Sequence, residues 1–186
     1  DCDLYHIDPP THDNSYFYSQ LKAANNYFRS ASYGKFGLDM VSSNVMPSNA
    51  STYTLPNEMS YYYPYNQDSL AEIRLVELYE QSLQVAYAAD EIDFSVYDLI
   101  LVFHAGIGQD FSLPFLDPTP EDIPSTFIDS EMIKSAIGSS GIPIGNTVIN
   151  KGVILPESQN HLNFDISNSM FAGEPDPCDY QFGLNG

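Results

Sequence analysis

The side chains that most often carry out chemistry are few in this sequence and widely spaced. No two of the four histidines have the i, i+4 spacing that puts two metal ligands on one helix face. They are His6, His12, His104 and His161. The HExxH zinc motif and the GxSxG motif of serine hydrolases are both absent. The sequence therefore predicts no catalytic residue and no zinc-ligand set within these 186 residues.

His104 is the histidine in the most informative position. It ends the continuous apolar run Tyr97–Phe103 and precedes Ala105 and Gly106. Because the carboxyl ends of buried strands commonly meet a site, His104 is a candidate for an imidazole that faces a site or supports a neighbouring ligand. The alternative is a partly buried histidine that is hydrogen-bonded to a backbone carbonyl.

A loop rich in carboxylates and proline follows the apolar run. Carboxylates in irregular backbone are typical of Ca²⁺ sites, since Ca²⁺ takes about six to eight oxygen ligands in flexible geometry. No EF-hand spacing is present, and the alternative is a solvated loop that its prolines stiffen. The calcium candidates are Asp110, Asp117, Glu121, Asp122 and Asp129, with Asp1, Asp3 and Asp8 as a second, weaker group.

Charge restricts the classes of partner. Six Lys and Arg face 25 Asp and Glu, so the formal net charge is −19. An acidic surface repels the phosphates of nucleic acids and anionic membranes, and no apolar run approaches the roughly 18 residues that span a bilayer. We therefore expect no nucleic-acid partner and no membrane partner. The acidity suits either bound cations or a solubility surface in a salty or extracellular medium.

Cys2 and Cys178 are the only cysteines, and they lie near opposite ends of the chain. Their spacing to histidine does not suggest zinc. A bond between them would close nearly the whole chain into one loop, which contributes about 4–5 kcal/mol in the chain-entropy treatment. We expect this disulfide, and with it an oxidising compartment. The alternative is two inert buried thiols.

Two amphipathic helices are predicted to position these residues. Apolar side chains at three- and four-residue spacing predict a helix near Ser15–Ser32, with Ser15 as its N-cap. The same spacing predicts a helix over Ser69–Ala89, in which Ser69 and Glu72 form a capping box. The second helix should stop near Asp90.

The strands are predicted from apolar runs and from alternation. Tyr97–Phe103 should be the central strand, because a continuous apolar run indicates that both faces are covered. Alternation at Phe36–Met40 predicts another strand. The remaining predicted elements are a strand at Thr126–Ile128, a helix at Ser130–Ile137 capped by Ser130 or Asp129, and a hairpin of Ile142–Ile149 with Gly152–Leu155 that turns at Asn150–Gly152.

The segment Ser42–Asn66 should be a long surface connection that contains the tyrosine run Tyr61–Tyr65. The run is either a recognition surface or half-buried packing over a sheet edge. No repeat or linker divides the sequence. We therefore expect residues 1–186 to form a single α/β unit with a mixed sheet and flanking helices.

Four groups of short motifs occur in order across about residues 16–157. They are Tyr27–Phe36 (YFRSASYGKF), Tyr53–Pro56 with Met59–Tyr62 (YTLP and MSYY), Asp93–Gly106 (with DFS, YD and VFHAG) and Ile154–Glu157 (ILPE). In these motifs and in their order the chain resembles the front part of the peptidase domain of immune-inhibitor-A-type zinc metallopeptidases.

The resemblance implies a secreted protein with a zincin-like domain, which has a twisted mixed sheet, helices and a catalytic helix bearing HExxH. In that chemistry two histidines hold zinc and the glutamate activates the bound water. The resemblance also implies that this chain corresponds to a partial domain that ends at about the point where the catalytic helix would begin. No zinc ligand or catalytic glutamate can be transferred to this sequence, since no position matches.

Two classes of function follow from the resemblance. In the first, the chain is a segment of a secreted zinc endopeptidase that acts on a protein or peptide substrate, and zinc belongs to the complete domain only. In the second, it is a non-catalytic extracellular module that binds another extracellular protein or has a structural role. Residues beyond Gly186 would contain HExxH in the first case and lack it in the second.

Overall fold

The computed structural model describes residues 12–49, 52–109 and 121–159. The chain divides into two compact units, Pro9–Tyr53 and Thr54–Gly186 with Asp1–Asp8. The expectation that residues 1–186 form a single domain concerns the whole chain and stays a prediction.

The smaller unit is built on helix α1, Asn14–Ala31. Its N-cap is Asp13 and not Ser15, because the Asp13 carboxylate accepts a hydrogen bond from the Tyr16 N–H at 3.0 Å. Ser15 instead donates its hydroxyl to the same carboxylate at 2.6 Å. The predicted helix is therefore confirmed, and the predicted cap is wrong by two residues.

The predicted strand at Phe36–Met40 is wrong. These residues form an irregular segment that returns along α1. The Leu38 N–H donates to the Asn25 side-chain oxygen at 2.8 Å, so a helix side chain takes the place of a neighbouring strand. Gly37 allows this approach, since a Cβ there would lie 2.8 Å from the Asn25 Oδ1. Alternation alone predicted a strand because it carries no information about the backbone's partner.

The larger unit begins with a short helix, α2 (Met59–Tyr62), and a long helix, α3 (Asp68–Asp90). Helix α3 ends as predicted, at a left-handed Glu91 with φ of 51°. The predicted Ser69–Glu72 capping box is wrong, because the helix begins one residue earlier and its N-cap is Gln67. The buried face of α3 consists of Ala71, Leu75, Val76, Leu78, Tyr79, Leu83 and Ala86.

A three-stranded mixed sheet follows. Its strands are β1 (Leu101–Gly108), β2 (Thr126–Ile128) and, after helix α4 (Ser130–Ile137), β5 (Gly152–Gln159). The order is β1-β5-β2, with β1 parallel and β2 antiparallel to β5.

The strand predicted at Tyr97–Phe103 is therefore not central. It begins only at Leu101, and within the described part of the chain β1 lies at the sheet edge. The prediction that both faces of this strand are covered is also wrong, because Leu101, Val102 and Phe103 are only partly buried. An apolar run does not report whether both edges of a strand are paired. The central strand is β5, in which Ile154 is fully buried.

The predicted hairpin around Asn150–Gly152 is also wrong. The hairpin is formed by β3 (Ile142–Ile144) and β4 (Thr147–Ile149), which pair with each other across a turn at Gly145. Gly145 has a φ of +55°, and a Cβ there would lie 2.9 Å from the ring of Tyr87. The chain then leaves the hairpin and β5 enters the other sheet. The larger unit is thus mixed α/β, with a small mixed sheet and flanking helices.

Candidate functional site

His104 lies in β1, and both of its ring nitrogens face backbone carbonyl oxygens. Nε2 lies 3.0 Å from the oxygen of Ile123, and Nδ1 lies 3.0 Å from the oxygen of Ala105. A neutral imidazole carries one N–H, so in that form it donates to one of the two carbonyls. Ile123 is almost completely buried, and the contact ties β1 to the segment that leads into β2. The imidazole therefore holds two parts of the backbone together.

A bulge in β1 follows His104 directly. His104 pairs with Pro156 and Ile107 with Ser158, so β1 has one residue more than β5 over this interval. Pro156 has no N–H for the ladder, which favours an irregularity at this point. Gly106 takes up the bulge with a φ of +86°, a conformation that glycine adopts without strain.

The carboxylate of Glu157 completes the bulge. Its Oε2 accepts a hydrogen bond from the Gly106 N–H at 3.2 Å. The backbone group that the bulge removes from the ladder is thereby paired with a side chain. The candidate site lies within β1 and consists of His104, Gly106 and Glu157, with the Ile123 carbonyl as the fourth member.

The site brings together two segments that lie about 50 residues apart in the sequence. The register pairs Val102 with Ile154, and Phe103 with Leu155. The VFHAG motif of β1 and the ILPE motif of β5 are therefore direct neighbours in the sheet. The predicted strands Tyr97–Phe103 and Gly152–Leu155 contained only the first two residues of each motif, and the sequence did not place the two motifs side by side.

Asp129, one of the calcium candidates, caps helix α4. Its Oδ1 accepts hydrogen bonds at 2.9 Å from the N–H groups of both Glu131 and Met132. Glu121 and Asp122 lie nearby in sequence at the start of the last described segment, whereas Asp110 and Asp117 lie outside the described residues. Over residues 12–49, 52–109 and 121–159, no three His, Cys, Asp or Glu side chains form a group that could hold a metal ion. The calcium site stays a prediction.

The remaining predicted positions lie outside the described residues. These are Cys2 and Cys178, the weaker calcium group Asp1, Asp3 and Asp8, and the histidines His6 and His161. The disulfide accordingly stays a prediction.

Tyr61 and Tyr62 of the tyrosine run pack on helix α3 and not on a sheet edge, whereas Tyr65 is exposed. Tyr62 is buried, and its hydroxyl donates to the Gln81 Oε1 at 2.5 Å. The Tyr61 hydroxyl lies 3.1 Å from a carboxylate oxygen of Glu77, and the Arg74 guanidinium lies over the Tyr61 ring at 4.0 Å from its centroid. Arg74 also pairs with Glu77. These contacts anchor α2 to one side of α3.

A groove between α3 and α4 was not predicted from the sequence. It is lined by Ile73, Glu77, Glu80, Gln81, Gln84, Ala136 and Ile137. Ile73 is one of the apolar side chains at three- and four-residue spacing that predicted α3, but 42% of it is exposed. The spacing of the α3 members, about three or four residues, places them in one line along the helix. This line of side chains was visible in the sequence. It becomes one wall of a groove only because α4 packs beside it, and the sequence did not predict that packing.

No family model, no curated protein and no solved structure matches this chain. Among the residues that the structure describes, no helix combines the length and the apolar character that crossing a membrane requires.

Proposed function

We propose that this chain is a segment of a secreted metallopeptidase-like protein, in which it supplies the front part of a zincin-like domain. One observation carries the proposal. The motifs VFHAG and ILPE each resemble the family on their own, and they pair in register in the neighbouring strands β1 and β5. A mixed sheet with flanking helices is also what the resemblance implies for the fold.

The pairing explains why each motif has its residue types. Gly106 is needed for the positive φ of the bulge, and Glu157 supplies the acceptor for the Gly106 N–H. Gly108 is needed for the close approach of the two strands, because a Cβ there would lie 2.5 Å from the Pro156 ring. His104 holds the bulge against the start of β2. The motifs thus act as one structural unit that shapes the sheet.

In this proposal zinc and the reacting water are held by the part of the complete domain that carries HExxH, a motif that residues 1–186 lack. The residues that the structure describes contain no group of three potential ligands, so none of them is assigned to the metal. When bound by the complete domain, zinc would polarise the scissile carbonyl of a peptide substrate and lower the pKa of its water. The part played by this chain is to position the sheet beside that centre.

The test begins with the coding sequence that follows Gly186. We expect it to encode HExxH, and we expect the whole protein to cleave casein in a zinc-dependent, chelator-sensitive reaction. Residues 1–186 alone should show no cleavage, and neither should the whole protein with glutamine in place of the HExxH glutamate. A complete gene product that lacks HExxH and hydrolyses nothing would contradict the proposal. It would instead favour a non-catalytic extracellular module.

A further inference from the structure

We propose that the groove between α3 and α4 binds a basic, amphipathic segment of another polypeptide, in which Lys or Arg side chains alternate with aliphatic ones. The inference does not depend on the peptidase proposal, because the groove is formed by two helices that take no part in the pairing of β1 with β5. It rests on the apolar ends of the groove, on a carboxylate within it, and on the charge of the whole chain.

The apolar part of the groove is exposed to solvent. Ile73 on α3 and Ile137 at the end of α4 are 42% and 39% exposed, and Ala136 lies beside Ile137. Both isoleucines lie on helices whose other faces are well packed, with Ile133 of α4 fully buried. Covering such side chains contributes roughly 25 cal/mol for each Å² of apolar surface removed from water. A partner with aliphatic side chains would gain from both positions.

The polar part of the groove is acidic and only partly neutralised. Glu77 pairs with Arg74, which also contacts the Tyr61 ring. Glu80 is half-buried, and its carboxylate accepts a hydrogen bond at 3.1 Å from the Gln84 amide. Among the described residues Glu80 has no ion-pair partner. The hydrogen bond between Gln84 and the Glu80 carboxylate is exposed to solvent, so the carboxylate is open to a partner, and a Lys or Arg of that partner would form a charge-assisted hydrogen bond here.

Helix α4 adds to the negative potential at this end of the groove. Its last residue is Ile137, and the helix ends at Gly138 in the left-handed conformation. The carboxyl end of a helix carries a partial negative charge, which favours a nearby cation. The basic residue in the last turn of α4, Lys134, is not among the residues that line the groove. None of the described residues that line the groove is a Lys or an Arg, and Arg74 pairs with Glu77 from outside the groove.

Charge also selects the class of occupant. A second copy of this chain would bring 25 acidic and six basic residues to an acidic groove, so the two copies would repel each other. Nucleic acid is repelled for the same reason. A segment that carries both positive charge and apolar groups can pair with Glu80 and at the same time cover the two isoleucines. From Ile73 to Gln84 the α3 line extends about 16 Å, which fits about three turns of a helical partner.

The probes are two synthetic peptides of equal length and charge. In the first, Leu residues recur at three- and four-residue spacing with Lys residues between them, and in the second every Leu is replaced by Ser. Binding to the intact chain is followed by isothermal titration and by amide chemical shifts in ¹⁵N spectra. We expect the Lys/Leu peptide to bind on the order of tenfold more tightly than the Lys/Ser peptide. The shifts should be centred on Ile73, Glu80, Gln84 and Ile137.

Two pairs of variants decide whether the groove is the site. Glu80→Gln should weaken the binding of the Lys/Leu peptide on the order of fivefold. Glu72→Gln makes the same change at an exposed position of α3 outside the groove, and it should have little effect on binding. Ile137→Ser should also weaken the binding of this peptide, whereas Val96→Ser, at an exposed valine outside the groove, should leave the binding unchanged. Equal effects of Glu80→Gln and Glu72→Gln, or equal binding of the two peptides, would show diffuse attraction to an acidic surface and overturn the proposal.

Discussion

The hydroxyl of Tyr79 donates a hydrogen bond to the main-chain carbonyl oxygen of Lys151 across 3.1 Å. Tyr79 is fully buried, and burial raises the pKa of its hydroxyl, so the group remains a protonated donor. The ring occupies the space beside Gly152, where a Cβ would lie 2.0 Å from the Tyr79 oxygen. Helix α3 thus fixes the position at which the central strand β5 begins.

Gly152→Ala should therefore destabilise the larger unit. The new methyl group would overlap the Tyr79 ring, which cannot move because it is buried on α3. We expect a loss of about 2–3 kcal/mol in the free energy of unfolding, the usual cost of overpacking, measured by urea denaturation.

Gly138→Ala is the matched control, since Gly138 has a φ of +78° and no atom within 4 Å of the added Cβ. Its cost should be near 1 kcal/mol, from backbone strain alone. Combining Gly152→Ala with Tyr79→Leu should cost less than the sum of the two single changes, because the smaller side chain makes room. Strict additivity would argue against the contact.

A second prediction concerns the imidazole that bridges β1 and the start of β2. His104→Phe removes both polar contacts of the ring, with the carbonyl oxygens of Ala105 and Ile123, of which a neutral imidazole donates to one, and we expect it to lower the free energy of unfolding by about 1–2 kcal/mol. His104→Gln keeps a side-chain hydrogen-bond donor, so its free energy of unfolding should fall by less. If both variants denature like the wild-type protein, the two contacts do not stabilise the fold.

Local signals in the sequence predicted helices better than they predicted strand partners. Helix α4 has its predicted bounds and one of its two predicted caps, Asp129, because the cap and the helix are neighbours in the chain. The end of α3 was predictable for the same reason. The position of β1 at the sheet edge was not, because it depends on β5, about 50 residues further along.

In the candidate site, too, features set by neighbours in the sequence were easier to predict than contacts between distant residues. The apolar run placed His104 next to a strand, but the predicted position at the strand end is wrong, because β1 continues to Gly108. The partner of His104, Ile123, is 19 residues away, and the contact between Gly106 and Glu157 spans 51 residues. Such pairs are decided by the register between β1 and β5, which periodicity does not reveal. The groove beside α3 depends in the same way on where α4 packs.

A third prediction concerns the cap of α1 and acid. Hydrogen bonds from the Ser15 hydroxyl and then from the Tyr16 N–H lower the pKa of Asp13 below its usual value. A carboxyl group whose pKa is lower in the folded state stabilises that state above its unfolded pKa of about 3.9, and the contribution is lost as the pH falls through the folded value. Acid should therefore loosen the first turn of α1.

Asp13→Asn provides the comparison, because asparagine also caps helices but does not titrate over this range. The protection of the amides in the first turn of α1, measured as the ratio of the intrinsic exchange rate at each pH to the observed rate, should fall below about pH 4 in the wild-type protein, with less change in the variant. A carboxyl titration of Asp13 by NMR measures the pKa directly. A value at or above that of an unfolded aspartate would contradict the prediction.

A fourth prediction is the bond between Cys2 and Cys178. Intact mass with and without reductant should differ by two hydrogens, about 2 Da, and neither thiol of the native oxidised protein should react with an alkylating reagent under denaturing conditions. Reduction should also lower the melting temperature, since the loop closed by the bond contains most of the chain. Two alkylatable thiols without reductant would refute the pairing.

The last prediction separates two ways in which cations can act on a chain of net charge −19. Like charges in a compact domain repel each other, so both salt and bound Ca²⁺ should raise the melting temperature. Screening requires on the order of 0.1 M salt, at which the Debye length is about 10 Å, and it does not distinguish Na⁺ from K⁺. A carboxylate site saturates at a lower concentration and prefers Ca²⁺ to Mg²⁺, because Mg²⁺ demands octahedral geometry and holds its waters.

Thermal melts in CaCl₂ and in NaCl of matched ionic strength distinguish the two. We expect screening in both, with at most one weak additional Ca²⁺ effect from the loop between Asp110 and Asp129. Because the Asp129 Oδ1 already caps α4 through two backbone N–H groups, any such site should depend more on Asp117 and Asp122. Asp117→Asn with Asp122→Asn should then abolish the additional shift and leave the NaCl response unchanged. If Ca²⁺ gives no additional shift and the double variant behaves like the wild-type protein, the acidic loop is solvated surface.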